Sequence, residues 1–96
     1  SQIRYPRIYQ NSFDAKVICP IEMPLKKGET YHFEINCPSK NFAAVICGKN
    51  FLQMQKNAGG TFSLDFTVPT NISKLNIGVS SAKTGSYQTI ATYICK

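Results

Sequence analysis

The side chains of this 96-residue chain that are best suited to chemistry are four cysteines and a single histidine. The cysteines are Cys19, Cys37, Cys47 and Cys95, and no two of them form a Cys-x-x-Cys pair. Structural zinc sites take ligands that are paired at short spacing, so we expect no metal and no cofactor. Four cysteines in so short a chain instead indicate two disulfides in a secreted or extracellular protein. Free, buried thiols in a reducing compartment are the alternative.

The histidine, His32, stands between Thr30 and Glu34 in an alternating stretch, which predicts an exposed position on a polar face. The sequence places no general base beside a nucleophile, and it holds neither a carboxylate pair nor a glycine-rich phosphate loop. An enzyme would need a free cysteine that meets His32 in space. We therefore expect a protein without enzyme activity.

Strict alternation of apolar and polar residues defines three strands, over residues 30–37, 61–68 and 74–80. A period of two is the mark of a strand with one buried face. The apolar positions, which predict those buried faces, are Tyr31, Phe33, Ile35 and Cys37, then Phe62, Leu64, Phe66 and Val68, then Leu75, Ile77 and Val79.

Other segments predict shorter strands. The apolar run 42–47 is too short for a stable helix and predicts a strand that is covered on both sides. Further strands are predicted over 15–19, 51–55 and 86–95, and an edge strand over 3–9, where Pro6 is tolerated. Seven or eight short strands with turns at this spacing indicate one all-β domain, residues 1–96, built as an immunoglobulin-like two-sheet sandwich and stabilised by disulfides. A small five-stranded barrel is the alternative.

The sandwich suggests one of the three possible disulfide connectivities. The strands over 15–19 and 30–37 are expected to be antiparallel neighbours, which brings Cys19 within reach of Cys37. The strands that end at Cys47 and Cys95 are expected to finish at the same end of the sandwich. We therefore predict the pairs Cys19–Cys37 and Cys47–Cys95, worth about 3 and 4 kcal/mol by the loop-entropy estimate.

Motifs along most of the chain follow the order found in a known family. Tyr5-Pro6-Arg7-Ile8-Tyr9 opens the chain, Leu25-x-x-Gly28-x-x-Tyr31 leads into a predicted strand, and Ser86-Tyr87 begins the last one. This order resembles the immunoglobulin-like domain that follows the catalytic core in kyphoscoliosis-peptidase-type, transglutaminase-like proteins. The resemblance implies an accessory domain without the Cys-His-Asp core of that family.

The charge balance limits the class of partner. Eleven Lys and Arg residues against five Asp and Glu residues give a net charge of +6. Nucleic-acid binders cluster basic residues around aromatics on a solvent-facing sheet, whereas here the basic residues are scattered, so the pattern disfavours nucleic acid. The excess charge favours an anionic partner surface, with the adjacent Lys26 and Lys27 as candidate binding residues. The longest apolar run is far shorter than the roughly 20 residues that cross a membrane, so we expect no transmembrane segment.

Tyrosines in the first and last segments suggest where a partner binds. Tyr5, Tyr9, Tyr87 and Tyr93 all lie in segments that the sandwich places at sheet edges. Tyrosine is frequent at interfaces, and edge strands pair readily with other chains. We therefore expect a non-catalytic, secreted binding module or effector that recognises a protein or a glycan. A small nucleic-acid-binding β-barrel, argued from the charge alone, is the alternative function.

Overall fold

The computed structural model of the chain describes residues 24–82 and 86–96, together with the backbone of three short strands near the N-terminus. The strands are β1 (Ile3–Arg4), β2 (Gln10–Ser12), β3 (Ala15–Val17), β4 (Thr30–Asn36), β5 (Phe42–Cys47), β6 (Asn50–Gln53), β7 (Gln55–Lys56), β8 (Thr61–Thr67), β9 (Lys74–Ser80) and β10 (Gln88–Ile94). The described residues contain no helix that is long and apolar enough to cross a membrane.

The strands form two sheets. One sheet has the order β2-β3-β4-β8-β7, with β1 added in parallel to the beginning of β4, and the other has the order β10-β9-β5-β6. All the other pairings between the named strands are antiparallel, and an isolated parallel bridge joins Leu25 to Cys95. The prediction of an all-β, two-sheet architecture is confirmed, and the described chain has more strand segments than the seven or eight expected because several strands are short.

The alternating segments supply the core between the sheets. In β4 and the residue after it, Tyr31, Phe33, Ile35 and Cys37 are at most 2% exposed. The predicted inner residues of β8 and β9 are buried as well, except Leu64, which is partly buried and packs against the core. The ring of Phe33 packs edge-on against Tyr93, with centroids 5.6 Å apart. The period of two in the sequence therefore predicted which faces meet.

The segment predicted as one strand over 51–55 consists of two strands in different sheets. β6 pairs with β5, whereas β7 pairs with β8 in the other sheet. The chain changes sheets at Met54, whose N–H donates to the carbonyl of Ala43 and whose side chain is only 2% exposed. Burying this one side chain anchors the crossing.

The Leu-x-x-Gly-x-x-Tyr motif forms the turn that begins β4. Leu25 is fully buried, and Gly28 adopts a positive φ of 86°, which glycine reaches without steric cost. The hydroxyl of Tyr31 accepts a hydrogen bond of 2.8 Å from the N–H of Lys26. Leu25 thus anchors the turn in the core, Gly28 allows the chain to reverse, and Tyr31 closes the turn with a hydrogen bond.

A turn that contains Gly59 and Gly60 joins β7 to β8. Gly60 has a φ of 79°, and a Cβ atom added there would lie 2.5 Å from Cα of Pro38. The carbonyl of Gly60 accepts the N–H of Cys37 at 2.9 Å. Only glycine satisfies both the backbone conformation and this close approach.

The predicted Cys47–Cys95 disulfide is not formed. Cys47 and Cys95 are buried as separate thiols. Their strands do end on the same side of the sandwich, but β9 lies between β5 and β10. Two strand spacings amount to about 9.6 Å, whereas bridged Cα atoms are about 4.4–6.8 Å apart. Cys19 lies outside the described residues, so the Cys19–Cys37 pair stays a prediction, as do the parts of strands 3–9 and 15–19 that fall there.

Candidate functional site

The tyrosines predicted to form one binding surface do not lie on one surface in the structure. Tyr93 is fully buried in the core, so its assignment as a binding residue is wrong. Tyr87 is partly exposed and lies just before β10. Tyr5 and Tyr9 lie outside the described residues.

A bulge in β10 separates Tyr87 from Tyr93. Thr89 lies opposite Gly78 in β9, while Ala91 lies opposite Ile77, so Ile90 is an extra residue in β10. Ile90 and Ala91 are both buried, at 4% and 7% exposure. The extra residue reverses the alternation, which turns Tyr87 to the outside of the four-stranded sheet.

The side chain of Tyr87 packs against that outside surface. Its ring centroid is 5.5 Å from that of Phe51 on β6, with the two ring planes tilted by 53°. A Cβ atom on Gly78 would lie 3.1 Å from Cβ of Tyr87 and 3.0 Å from Cδ1 of Ile46. Gly78 therefore leaves the space across which Tyr87 approaches the side chains of β5 and β6.

These residues define a surface that we call the outer face: Ala44, Ile46, Phe51, Gly78 and Tyr87. Phe51 is 57% exposed, although Ala44 beneath the neighbouring side chains is only 1% exposed. Phe51 and Ile94 are the large hydrophobic side chains that stand out as exposed within the described part of the chain, and both point away from the core on the four-stranded sheet. Ile94 lies on the opposite edge strand, so the apolar centre of the outer face is the Phe51–Tyr87 pair, and an exposed apolar patch is typical of interaction sites.

Polar neighbours frame the outer face without adding acidic charge. Thr92 donates a hydrogen bond of 2.7 Å to Oδ1 of Asn76 across β9 and β10. Gln53 lies opposite Ala44 at the β6 edge. The four strands of this sheet contain no Asp or Glu, so hydrogen-bonding amides and hydroxyls are present beside the apolar centre.

Sequence reasoning missed Phe51 as a site residue. The alternation of residues 51–54 could have indicated it. Leu52 and Met54 lie two positions apart on the inner side and are partly and fully buried. Phe51 and Gln53 have the opposite parity and are exposed. A four-residue strand offers too few repeats for this pattern to stand out.

Lys26 and Lys27 lie away from Tyr87, at the other end of the sandwich. The N–H of Lys27 donates to the carbonyl of Lys96 at 3.0 Å, so this turn sits beside the end of β10. Tyr87 precedes the beginning of β10. The predicted binding residues therefore belong to two separate surfaces.

The buried thiols are poor nucleophiles. Burial raises the pKa of Cys47 above the ordinary thiol value. Burial also raises the pKa of Cys95, a nearby Cys47 raises it further, and Lys27 lowers it. Both side chains therefore hold their protons at neutral pH, whereas the thiolate is the reactive form.

His32 lies on the outside of the six-stranded sheet. Its Nδ1 is 2.7 Å from Oδ1 of Asp65, and its Nε2 is 3.5 Å from Oε1 of Glu34. Cys37 directly follows the strand of His32 and is buried in the core between the sheets. Within the described residues, no group of three His, Cys, Asp or Glu side chains is arranged to hold a metal ion.

Comparisons with known proteins do not extend this description. No protein-family model matches the chain, and no curated protein is significantly similar to it.

Proposed function

We propose that this protein is a non-catalytic, extracellular binding module that recognises a partner protein through the outer face. The observation that carries the proposal is the β10 bulge, which directs Tyr87 out of the core and against Phe51. Bulges are frequently used to redirect a side chain at functional positions. The buried, protonated thiols and the carboxylate-bound His32 support a role without catalysis.

Burial of the outer face in an interface would contribute favourable binding free energy. Removing the exposed part of Phe51 from water would contribute about 1–2 kcal/mol. Aromatic residues supply much of the binding energy in protein interfaces because they bury a large area for few rotatable bonds. Tyr87 is already packed against Phe51, so little side-chain freedom remains to be lost on binding.

The ring geometry favours a protein over a glycan at this face. A sugar chain that stacks along two aromatic residues needs rings of similar orientation, whereas these two planes are 53° apart. The exposed ring of Phe51 instead offers an apolar surface against which an apolar side chain of a protein can pack. Amide and hydroxyl groups on the edge strands, such as those of Gln53 and Thr92, suit the polar rim of such an interface.

We also propose that the sandwich is immunoglobulin-like. The strand orders β3-β4-β8-β7 and β10-β9-β5-β6 correspond to the orders A-B-E-D and G-F-C-C′ of that fold. This correspondence supports the resemblance to the accessory domain of transglutaminase-like proteins. An extracellular domain of this kind would carry the predicted Cys19–Cys37 bridge, and non-reducing peptide mapping should recover those two cysteines in one linked fragment.

A comparison of captured proteins tests the function. Three proteins would be immobilised separately: the parent chain, the variant Phe51→Ser, and the control variant Thr67→Ala, whose substitution lies on the surface of the other sheet. Each immobilised protein would then be exposed to extracellular proteins of the source organism. We expect a protein retained by the parent chain and by Thr67→Ala but lost with Phe51→Ser. With that protein purified, Phe51→Ser should weaken its Kd at least about tenfold, a loss of roughly 1.4 kcal/mol. Equal retention by all three chains would contradict the proposal.

A further inference from the structure

The tertiary structure gathers five lysines that are scattered in the sequence. We call this surface the lysine end: Lys26, Lys27, Lys49, Lys74 and Lys96. The N–H of Lys96 donates to the carbonyl of Leu25, and the N–H of Lys27 donates to the carbonyl of Lys96. These bonds bring the turn at the beginning of β4 against the end of β10.

Strand directions bring the other two lysines to the same end. Lys74 begins β9 and lies opposite Ile94 in β10. Lys49 lies in the turn after β5, and that turn is at the same end because Ile46 lies opposite Asn76 of β9. All five side chains are exposed except Lys27, which is partly exposed. Among the described residues of this end, Glu29 has the one acidic side chain.

The distribution of acidic groups makes this end distinct. The remaining described carboxylates, Glu34 and Asp65, lie on β4 and β8, where they contact His32. The two other lysines whose side chains are described, Lys40 and Lys56, lie at the opposite end. The charge of the described side chains is therefore polarised, with the positive groups concentrated where β10 ends.

We propose that the lysine end is a second binding surface, which takes a linear polysaccharide carrying sulfate or carboxylate groups. Lysine is a flexible point charge, which suits the charge density of a polymer better than the fixed geometry of a single anion. Binders of single-stranded nucleic acid place aromatic side chains among their basic residues for base stacking. The described segments of this end, 24–29, 48–50, 68–74 and 94–96, contain no aromatic residue. The proposed extracellular location makes such a polysaccharide accessible, but the binding itself does not depend on it.

Heparin oligosaccharide is the probe, and paired charge reversals test the assignment. Binding of a heparin dodecasaccharide to the full chain would be measured by titration calorimetry at low and moderate salt. The test variant is Lys49→Glu with Lys74→Glu, and the matched control is Lys40→Glu with Lys56→Glu, which changes the net charge equally. We expect the test variant to lose at least about tenfold in affinity and the control less than about threefold, with binding that weakens as salt rises.

Several outcomes would overturn the inference. Equal losses in the two double variants would mean that only net charge matters. Tighter binding of a single-stranded DNA oligonucleotide or of phosphatidylserine vesicles than of heparin would assign the surface to another polyanion. Phe51→Ser should retain heparin binding, and loss of that binding would show that the lysine end is not a separate site. Because this last variant tests the outer face, failure of one surface is distinguishable from failure of the other.

Discussion

Tyr87 and Tyr93 flank one bulge, and the bulge gives their rings opposite environments. An even separation along a regular strand would put both side chains on the same face. Ile90 interrupts the register, so Tyr93 packs against Phe33 in the core while Tyr87 packs against Phe51 outside it. The same type of residue is thus buried in the core at one position and partly exposed at the other.

Enlarging Gly78 should separate the two rings of the outer face. A Cβ atom there would already be tightly placed against Tyr87 and Ile46, at 3.1 and 3.0 Å. We expect Gly78→Val to abolish the nuclear Overhauser contacts between the Phe51 and Tyr87 rings, and Gly78→Ala to weaken them. Unchanged contacts in Gly78→Val would show that the glycine does not make room for Tyr87.

Removing the hydroxyl of Tyr93 should not destabilise the protein. The hydroxyl oxygen is buried and has no hydrogen-bond partner within the described structure. Because burying an unsatisfied polar group costs about 1–3 kcal/mol, Tyr93→Phe should raise the free energy of unfolding by up to about 1 kcal/mol. Tyr93→Ala should lower it by about 3–5 kcal/mol, as for other large aromatic core residues. Urea denaturation measures both, and a clear loss in Tyr93→Phe would reveal a partner for the hydroxyl.

Substituting Gly60 should be costly. The added methyl of Gly60→Ala would meet the backbone of Pro38 at 2.5 Å, and the positive φ adds strain. We expect a loss of about 2–4 kcal/mol in the free energy of unfolding. Gly48→Ala is the control, since it also has a positive φ but nothing within 4 Å of its Cβ position. A similar loss in both variants would mean that backbone strain alone accounts for the effect.

The buried thiols should make stability fall at alkaline pH. Unfolded cysteines titrate near pH 8.5, whereas burial raises the pKa of Cys47 and Cys95 in the folded chain. Above the unfolded value the unfolded chain binds fewer protons than the folded one, so stability declines as pH rises towards the folded values. Below about pH 8 the contribution is fully present.

Urea midpoints measured under reducing conditions from about pH 8 to 10 check this prediction. The double variant Cys47→Ala with Cys95→Ala should show a shallower decline than the parent chain, even though lost packing lowers its stability at every pH. Parallel declines would contradict thiol titration as a cause.

Alternation in the sequence determined the inner faces of β4, β8 and β9. A regular strand turns every second side chain to the same side, so local order is enough to predict Phe33, Phe62 or Ile77 as core residues. The glycine of the Leu-x-x-Gly-x-x-Tyr motif is local in the same sense, because the positive φ of Gly28 is a requirement of the turn itself. These features depend on neighbours along the chain.

The tertiary structure decided the features that depend on pairing between strands, namely the direction of the tyrosine side chains and the separation of the cysteines. The bulge at Ile90 arises from pairing with β9, so the sequence parity of Tyr87 and Tyr93 could not reveal their different faces. Cys47 and Cys95 end on one side of the sandwich, but the strand inserted between them follows from sheet order.

The total charge follows from the sequence, whereas its distribution over the surface follows from the tertiary structure. The sequence by itself determined that the protein carries a net charge of +6, and it shows the basic residues spread along the chain. Only the folded arrangement brings Lys49, Lys74 and Lys96 to one end, because turns that are distant in sequence meet where antiparallel strands reverse. Pattern along the chain therefore established the core, while strand pairing established the surfaces that a partner would meet.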